Sequence, residues 1–290
     1  MGFGQLYNSI RQIVDNPHVP TGYGLFKHAQ WQMRKMFDWF PFEQPIGGSR
    51  IVATHRRCAV SALVNSQGLY DYNNMKLVQW LLRDGGIFFD IGANIGSYTL
   101  VASEQRNAQV FAFEPHPATA ALLTENVRLN NRDNVTVCAM ALGNHDGIVT
   151  LTDHVGSSIN HAVTRDNGKT VDVPCGRAET FCRAHGIVPN YVKVDVEGFE
   201  FDVLAGFDSL FRKVELVFLE SNGLSDQRSV GATAIHSLLT SHGLIGPYRC
   251  LFDSTALQPY VRQGREDAIY LSETLRLRLQ ASGWSVGRME

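Results

Sequence analysis

The spacing of apolar positions changes near residue 86. Before that point, residues 25–40 carry Leu25, Phe26, Ala29, Met33, Met36, Phe37 and Phe40 at close to helical spacing, and Pro41 and Pro45 close the segment. Short apolar runs at 51–53 and 59–64 predict two strands, paired as a hairpin. Residues 75–82 predict a helix stopped at Gly85-Gly86. After that, compact apolar runs alternate with helical periodicity. Strands are expected at 87–90, 109–113, 135–139, 191–196, 216–219 and 269–271. Helices are expected at 98–104, 117–130, 178–185 and 232–241, with another ending near 204. More exposed strands at 148–152 and 170–173 read as a pair across the loop between them. Such alternation implies an open, mostly parallel, doubly wound α/β sheet with helices on both faces, which brings the strands' carboxyl ends to one ligand-binding edge. The alternation Leu275, Leu277, Leu279 reads as an edge strand. The expected organisation is an extension over 1–80, a binding domain over 81–272 and a tail over 273–290.

The first predicted strand runs into Asp90-Ile91-Gly92-Ala93-Asn94-Ile95-Gly96-Ser97-Tyr98. Gly92 can adopt positive φ and let a ligand approach the backbone, and Gly96 permits close packing where the helix starts. Asp90 at the mouth would repel a pyrophosphate but suits a cationic ligand such as an amino-acid ammonium. The second strand ends Phe113-Glu114-Pro115, and Glu114, 18 residues beyond Gly96, matches the acid that clasps ribose hydroxyls in doubly wound sheets. A second constellation, Lys193-Val194-Asp195-Val196-Glu197-Gly198-Phe199-Glu200, packs three acids and a lysine around a strand end. Charges there are costly unless paired or used. Lys193 reads as a structural partner, and Asp195 and Glu197 as facing a ligand.

The series DIGANIG, FEP, ALG and KVDVEGFE resembles the FkbM family of S-adenosylmethionine-dependent methyltransferases over residues 85–271. The resemblance implies a class I methyltransferase fold, Rossmann-like, with seven strands of which the last is antiparallel. It implies methyl transfer to a hydroxyl of a sugar, glycolipid or natural product. Asp90, Gly92, Asn94, Gly96 and Tyr98 would then line the methionine part of the cofactor. Glu114 with Pro115 would hold the ribose, Ala141-Leu142-Gly143 would border the adenine, and Asp195 would lie near the sulfonium. Acceptor choice is expected from residues 1–80 and the loop 153–165. Asp195, Glu197 and His154 are the candidate catalytic groups, with His161 behind them. A magnesium site at Asp195, Glu220 and Asn222 is the less favoured route.

Composition narrows the partners. The chain of 290 residues is 44% hydrophobic and 19% charged, with 26 basic and 28 acidic side chains, so no basic surplus points to nucleic acid. No run approaches the roughly 18 apolar residues of a membrane span, and 1–10 lack a secretory pattern. The five cysteines lack CxxC spacing, consistent with free thiols in a cytoplasmic protein. The apolar stripe over 25–40 is expected to pack in the core or at a homodimer contact. The competing functions are an NAD(P)-dependent oxidoreductase, disfavoured by the missing third glycine, and a non-catalytic cofactor-binding protein.

Overall fold

The structure is a computed structural model that describes residues 10–56, 58–152, 169–196, 198–220, 232–260 and 267–289. The central sheet is built from β3 (Gly86–Ile91), β4 (Ala108–Phe113), β5 (Val135–Cys138), β9 (Tyr191–Val194), β10 (Leu216–Leu219), β11 (Leu244–Leu251), β12 (Ala256–Pro259), β13 (Ala268–Ser272) and β14 (Ser285–Val286). Their spatial order is β5-β4-β3-β9-β10-β13-β11-β12-β14. The strands β5, β4, β3, β9 and β10 are parallel, and β13 inserts antiparallel between β10 and β11. These first seven have the number of strands and the single antiparallel strand that the resemblance implies. β12 and β14 extend it to nine strands, two more than the sequence reading expected. Both are short, and β14 has only two residues, too few to show a period of two.

The strands are apolar on both sides because helices cover both faces. Alternation sends Phe88, Val110, Tyr191, Phe218 and Leu271 into one layer. Phe89, Phe111, Val192, Val217 and Tyr270 point into the other. The first layer is filled by α3 (Tyr72–Leu82), α4 (Ser97–Ser103) and α9 (Glu273–Ala281). The second is filled by α6 (Ala178–His185), α7 (Glu200–Ala205) and α8 (Ala232–Ser241). The helix α5 (Pro117–Leu129) carries proline in its first turn and buries Leu123 against Ala93 and Ala112. β6 (Ala141–Leu142), β7 (Gly147–Thr152) and β8 (Thr170–Gly176) form a separate three-stranded sheet in which β7 and β8 pair antiparallel.

Three local expectations need correction. The hairpin lies earlier, between β1 (Phe42–Ile46) and β2 (Ser49–Ala53), while the expected strand at 59–64 is the helix α2 (Ala59–Gln67). Its buried positions are Ser61 and then Val64, Asn65 and Ser66, one helical turn further on, a spacing that the short apolar run concealed. The leucines near the carboxyl end also belong to a helix. Leu275 and Leu279 are buried four residues apart and Leu277 is exposed, and the Ser272 hydroxyl caps the start by accepting from Leu275 N at 3.2 Å. The helix over 25–40 forms as α1 (Thr21–Phe37), but only Gly24 and Trp31 are buried in it. Its apolar stripe therefore faces outward and does not fill the core.

Candidate functional site

The carboxyl ends of β3, β4, β9 and β10 meet around a cavity of about 450 Å³. That size suits a small organic ligand. The geometry begins at the exit of β3. Gly92 N and Ala93 N both donate to Phe113 O at 3.0 Å, and Asp195 N donates to Ile91 O at 2.9 Å. The loop turns through positive φ at Gly92 (80°), Asn94 (52°) and Gly96 (96°). A Cβ on Gly92 would sit 1.8 Å from Asp195 O, so glycine is what lets the exits of β3 and β9 touch. A Cβ on Gly96 would meet Leu123 Cδ1 at 2.5 Å, so this glycine serves the packing of α5.

Glu114 ends β4 inside the cavity. Its Oε2 accepts from Asn94 N at 3.0 Å and its Oε1 from His116 N at 2.9 Å. Each oxygen keeps a lone pair for a ligand hydroxyl. Burial pushes its pKa up to about 7, with the two backbone donors pulling the other way. Asp195 lies at the exit of β9. Its Oδ2 accepts from Lys193 Nζ at 2.7 Å, and Glu220, at the end of β10, also hydrogen-bonds to it. Burial disfavours the Asp195 anion, but Lys193 and the hydrogen bonds outweigh this and hold its pKa below the usual carboxylate range. Burial likewise works against the Lys193 ammonium, while Asp195 and Asp90 more than offset it and raise its pKa.

Of the residues expected from sequence, Gly92, Asn94, Glu114, Pro115, Ala141, Leu142, Gly143 and Asp195 line this one cavity, as does Glu220 from the less favoured magnesium set. Asp90, Gly96 and Tyr98 do not border it. Asp90 is buried behind the loop, where its Oδ2 accepts from Thr99 Oγ1 at 2.6 Å and its Oδ1 has no partner. Tyr98 points away, donating its hydroxyl to Asp71, and its ring lies 4.8 Å from Lys193 Nζ. Glu197, His154, His161 and Asn222 lie outside the described residues, as does the loop 153–165.

Several lining residues carried no sequence signal. Val60 and Leu63 of α2, together with Tyr70, reach the cavity only through tertiary packing. Met140 was within reach, because it immediately precedes the Ala141-Leu142-Gly143 turn. Ile91, Phe113, Met140 and Leu142 give the cavity apolar walls, and Glu114 and Asp195 give it acids. An adenosyl ligand with a cationic tail suits that combination: an apolar slot for a base, a fixed carboxylate for ribose hydroxyls and negative charge near the cation. Among the described residues, no three His, Cys, Asp or Glu side chains converge as metal ligands.

Comparison with known proteins agrees with this chemistry. A family model described as "Methyltransferase FkbM domain" matches residues 90–245. A hexuronic acid methyltransferase of Haloferax volcanii, AglP, is 32% identical over 151 residues, covering 51% of this chain and 61% of that protein. The chain thus spans about three-fifths of that relative. Methyltransferase 1 of Beauveria bassiana is 33% identical over 184 residues, 55% of this chain and 72% of its own length. The 2-O-methyltransferase NoeI of Sinorhizobium fredii is 26% identical over 197 residues, 60% of this chain and 79% of its own length.

Proposed function

The chain belongs to the FkbM methyltransferase family, and from that premise we propose that it transfers a methyl group from S-adenosylmethionine to a hydroxyl oxygen of a sugar or sugar-bearing acceptor. The observation that carries this reading is the Glu114 carboxylate, held by two backbone N–H groups inside a cavity that Asp195 also lines. Glu114 would accept from the ribose hydroxyls, Met140 and Leu142 would flank the adenine, and the Gly92 backbone would pass beneath the methionine portion. When bound, the cofactor supplies an electrophilic methyl on a cationic sulfur. Asp195 would accept a hydrogen bond from the acceptor hydroxyl and orient its oxygen. A carboxylate with a depressed pKa is a weak base, so this role is orientation with late proton removal. The relatives named for hexuronic acid and 2-O methylation support a sugar as acceptor.

A second cavity of about 330 Å³ shares Glu220 with the first and is lined by Glu200, Thr233, His236, Tyr260 and Tyr270. It continues the same sheet edge past β10, on the far side of Asp195 from Glu114. Its lining sets Glu200, Glu220 and His236 among Ile235, Pro247, Tyr260 and Tyr270, a mixture that would suit the hydroxyls and the apolar ring faces of a sugar acceptor. Lys193 engages Asp195 where a metal ion would otherwise bind, which favours transfer without a divalent cation.

Calorimetry with S-adenosylhomocysteine, followed by transfer of labelled methyl to free hexuronic acids and glycosides, tests the proposal. We expect micromolar affinity for the homocysteine product and turnover that persists in chelator. Asp195→Asn is expected to keep that affinity and lose about 100-fold in turnover, the scale of a positioned polar group at the reacting oxygen. No affinity for the product would end this reading.

A further inference from the structure

Residues 140–145, which follow β5, border the cavity where the cofactor's base is expected. Along them, Ala141, Leu142 and Gly143 present no polar side chain. Asn144 is polar, but both of its ends are occupied. Its Nδ2 donates to Asp202 Oδ1 at 2.6 Å, and its Oδ1 lies 2.9 Å from His145 Nδ1. Chemistry fixes these roles. Only the NH2 end of an amide can face a carboxylate so closely, and an amide oxygen can only accept, so His145 Nδ1 carries the proton.

The acceptor that this segment lacks comes from α7. Asp202 lies on that helix, is half-buried and lines the same cavity. Two close approaches hold it against residues 140–145. One is its hydrogen bond with Asn144. The other is at Gly206, directly after α7, where a Cβ would sit 2.1 Å from Gly143 O. Any side chain there would push the helix away from the segment. Asn144 occupies Asp202 Oδ1, while Oδ2 has no hydrogen-bond partner among the described residues. The neighbouring lining is apolar, with Leu142 on one side and Leu151 packed with Phe199 on another. A fixed acceptor beside an apolar slot selects a flat ring that carries a donor on its edge.

The geometry points to Asp202 as the group that, in the methyl-donor site on which this inference rests, accepts from the exocyclic amine of a 6-aminopurine. Asn144 is its positioning residue, since it holds one carboxylate oxygen and so directs the other. Hypoxanthine and guanine present a carbonyl oxygen where adenine presents an amine. Against Asp202 that oxygen would leave two acceptors facing each other, both unpaired. Adenine and hypoxanthine have nearly the same shape, so an apolar slot alone would separate them poorly. A site built to hydrogen-bond one of them separates them well.

Calorimetry of the full chain with S-adenosylhomocysteine against its deaminated analogue, S-inosylhomocysteine, tests the assignment. The unaltered protein should bind the adenosyl compound about 10- to 100-fold more tightly. Asp202→Asn should reverse that order. Asn144 Nδ2 would still donate to the oxygen at position 202, so the new amide would turn its NH2 toward the base. There it would meet the adenine amine donor to donor and pair with the 6-oxo group. Asp202→Ala should bring the two affinities within about threefold of each other. Asn144→Ala combined with Asp202→Asn should do the same, because the amide is then free to turn. Melts without ligand should match those of the unaltered protein, since Asp202 is only half-buried. Equal affinity of the unaltered protein for both compounds overturns the assignment, as does an adenosyl preference that Asp202→Asn and Asp202→Ala both retain. Either result leaves the methyl-donor reading standing, whereas affinity for neither compound removes both.

Discussion

Glu114 combines two properties that pull against each other. It is buried at the end of β4, which raises its pKa to about 7, and it is aimed at a site where an anion would serve a ribose best. In the unfolded chain it would ionise near the ordinary 4.5, so between 4.5 and 7 the folded state binds the extra proton. Its contribution to stability is therefore greatest below 4.5 and declines by about 3 kcal/mol as pH rises to 7. Ribose hydroxyls donate to the ionised form. Affinity for S-adenosylhomocysteine should accordingly rise with pH, up to about tenfold per unit below 7, and level off above it. Glu114→Gln should bind more weakly and with a flat profile. Calorimetry across this range checks it, and an unchanged slope in the variant would assign the titration to another group. The acid was legible in the sequence because a strand end, a glycine turn and a fixed spacing converge on it. Asp90 was legible as a strand-end acid, but its depth was not. Whether a carboxylate faces the cavity or lies behind the loop depends on Thr99 turning to meet it, and Thr99 belongs to the next helix. The direction of the Tyr98 hydroxyl was hidden for a similar reason, since its partner Asp71 comes from a distant segment.

At the scale of elements, the parallel strands were legible because burial on both faces makes them nearly pure apolar runs, as in β3, β9 and β10. The elements outside that pattern were harder to read. β11 is broken by Gly246 and Pro247, where its pairing with β13 shifts register, so no strand was expected there. The sequence of α9 reads as an edge strand because Arg276 and Arg278 alternate with leucines, an arrangement compatible with either period. Burial separates the two. In a strand Leu275, Leu277 and Leu279 would share one face, whereas here Leu279 is fully buried and Leu277 is 54% exposed. Leu279→Ala should therefore cost about 2–5 kcal/mol, while Leu277→Ala should stay within about 0.5 kcal/mol. Chemical denaturation of both variants decides the matter, since similar losses would restore the strand.

For the molecule as a whole, the question is whether the N-terminal layer melts with the sheet or apart from it. One buried cluster runs from Ile46 and Ile51 of the hairpin, through Val64 of α2 and Met75 of α3, to Phe88 in β3 and Trp284 near the carboxyl end. Trp80 of α3 packs edge-on against Trp284 at 5.3 Å, joining distant parts of the chain. Cavities between separately folding units are loosely walled, but here Val60 and Leu63 of the N-terminal layer close a cavity whose floor is the sheet. Unfolding either part would open the ligand site. A cooperative core predicts a single thermal transition, seen alike by tryptophan fluorescence and far-ultraviolet dichroism. A ligand at 100 times its dissociation constant adds about 2.7 kcal/mol, which for a chain of this size moves the midpoint by roughly 4–5 °C. S-adenosylhomocysteine should therefore shift the whole transition by that amount. An early transition in which the tryptophan signal changes and the ligand has no effect would mean that the first 80 or so residues are an independent layer. The α2 wall would then not belong to the ligand site, and methyl transfer would have to be explained from the sheet edge alone.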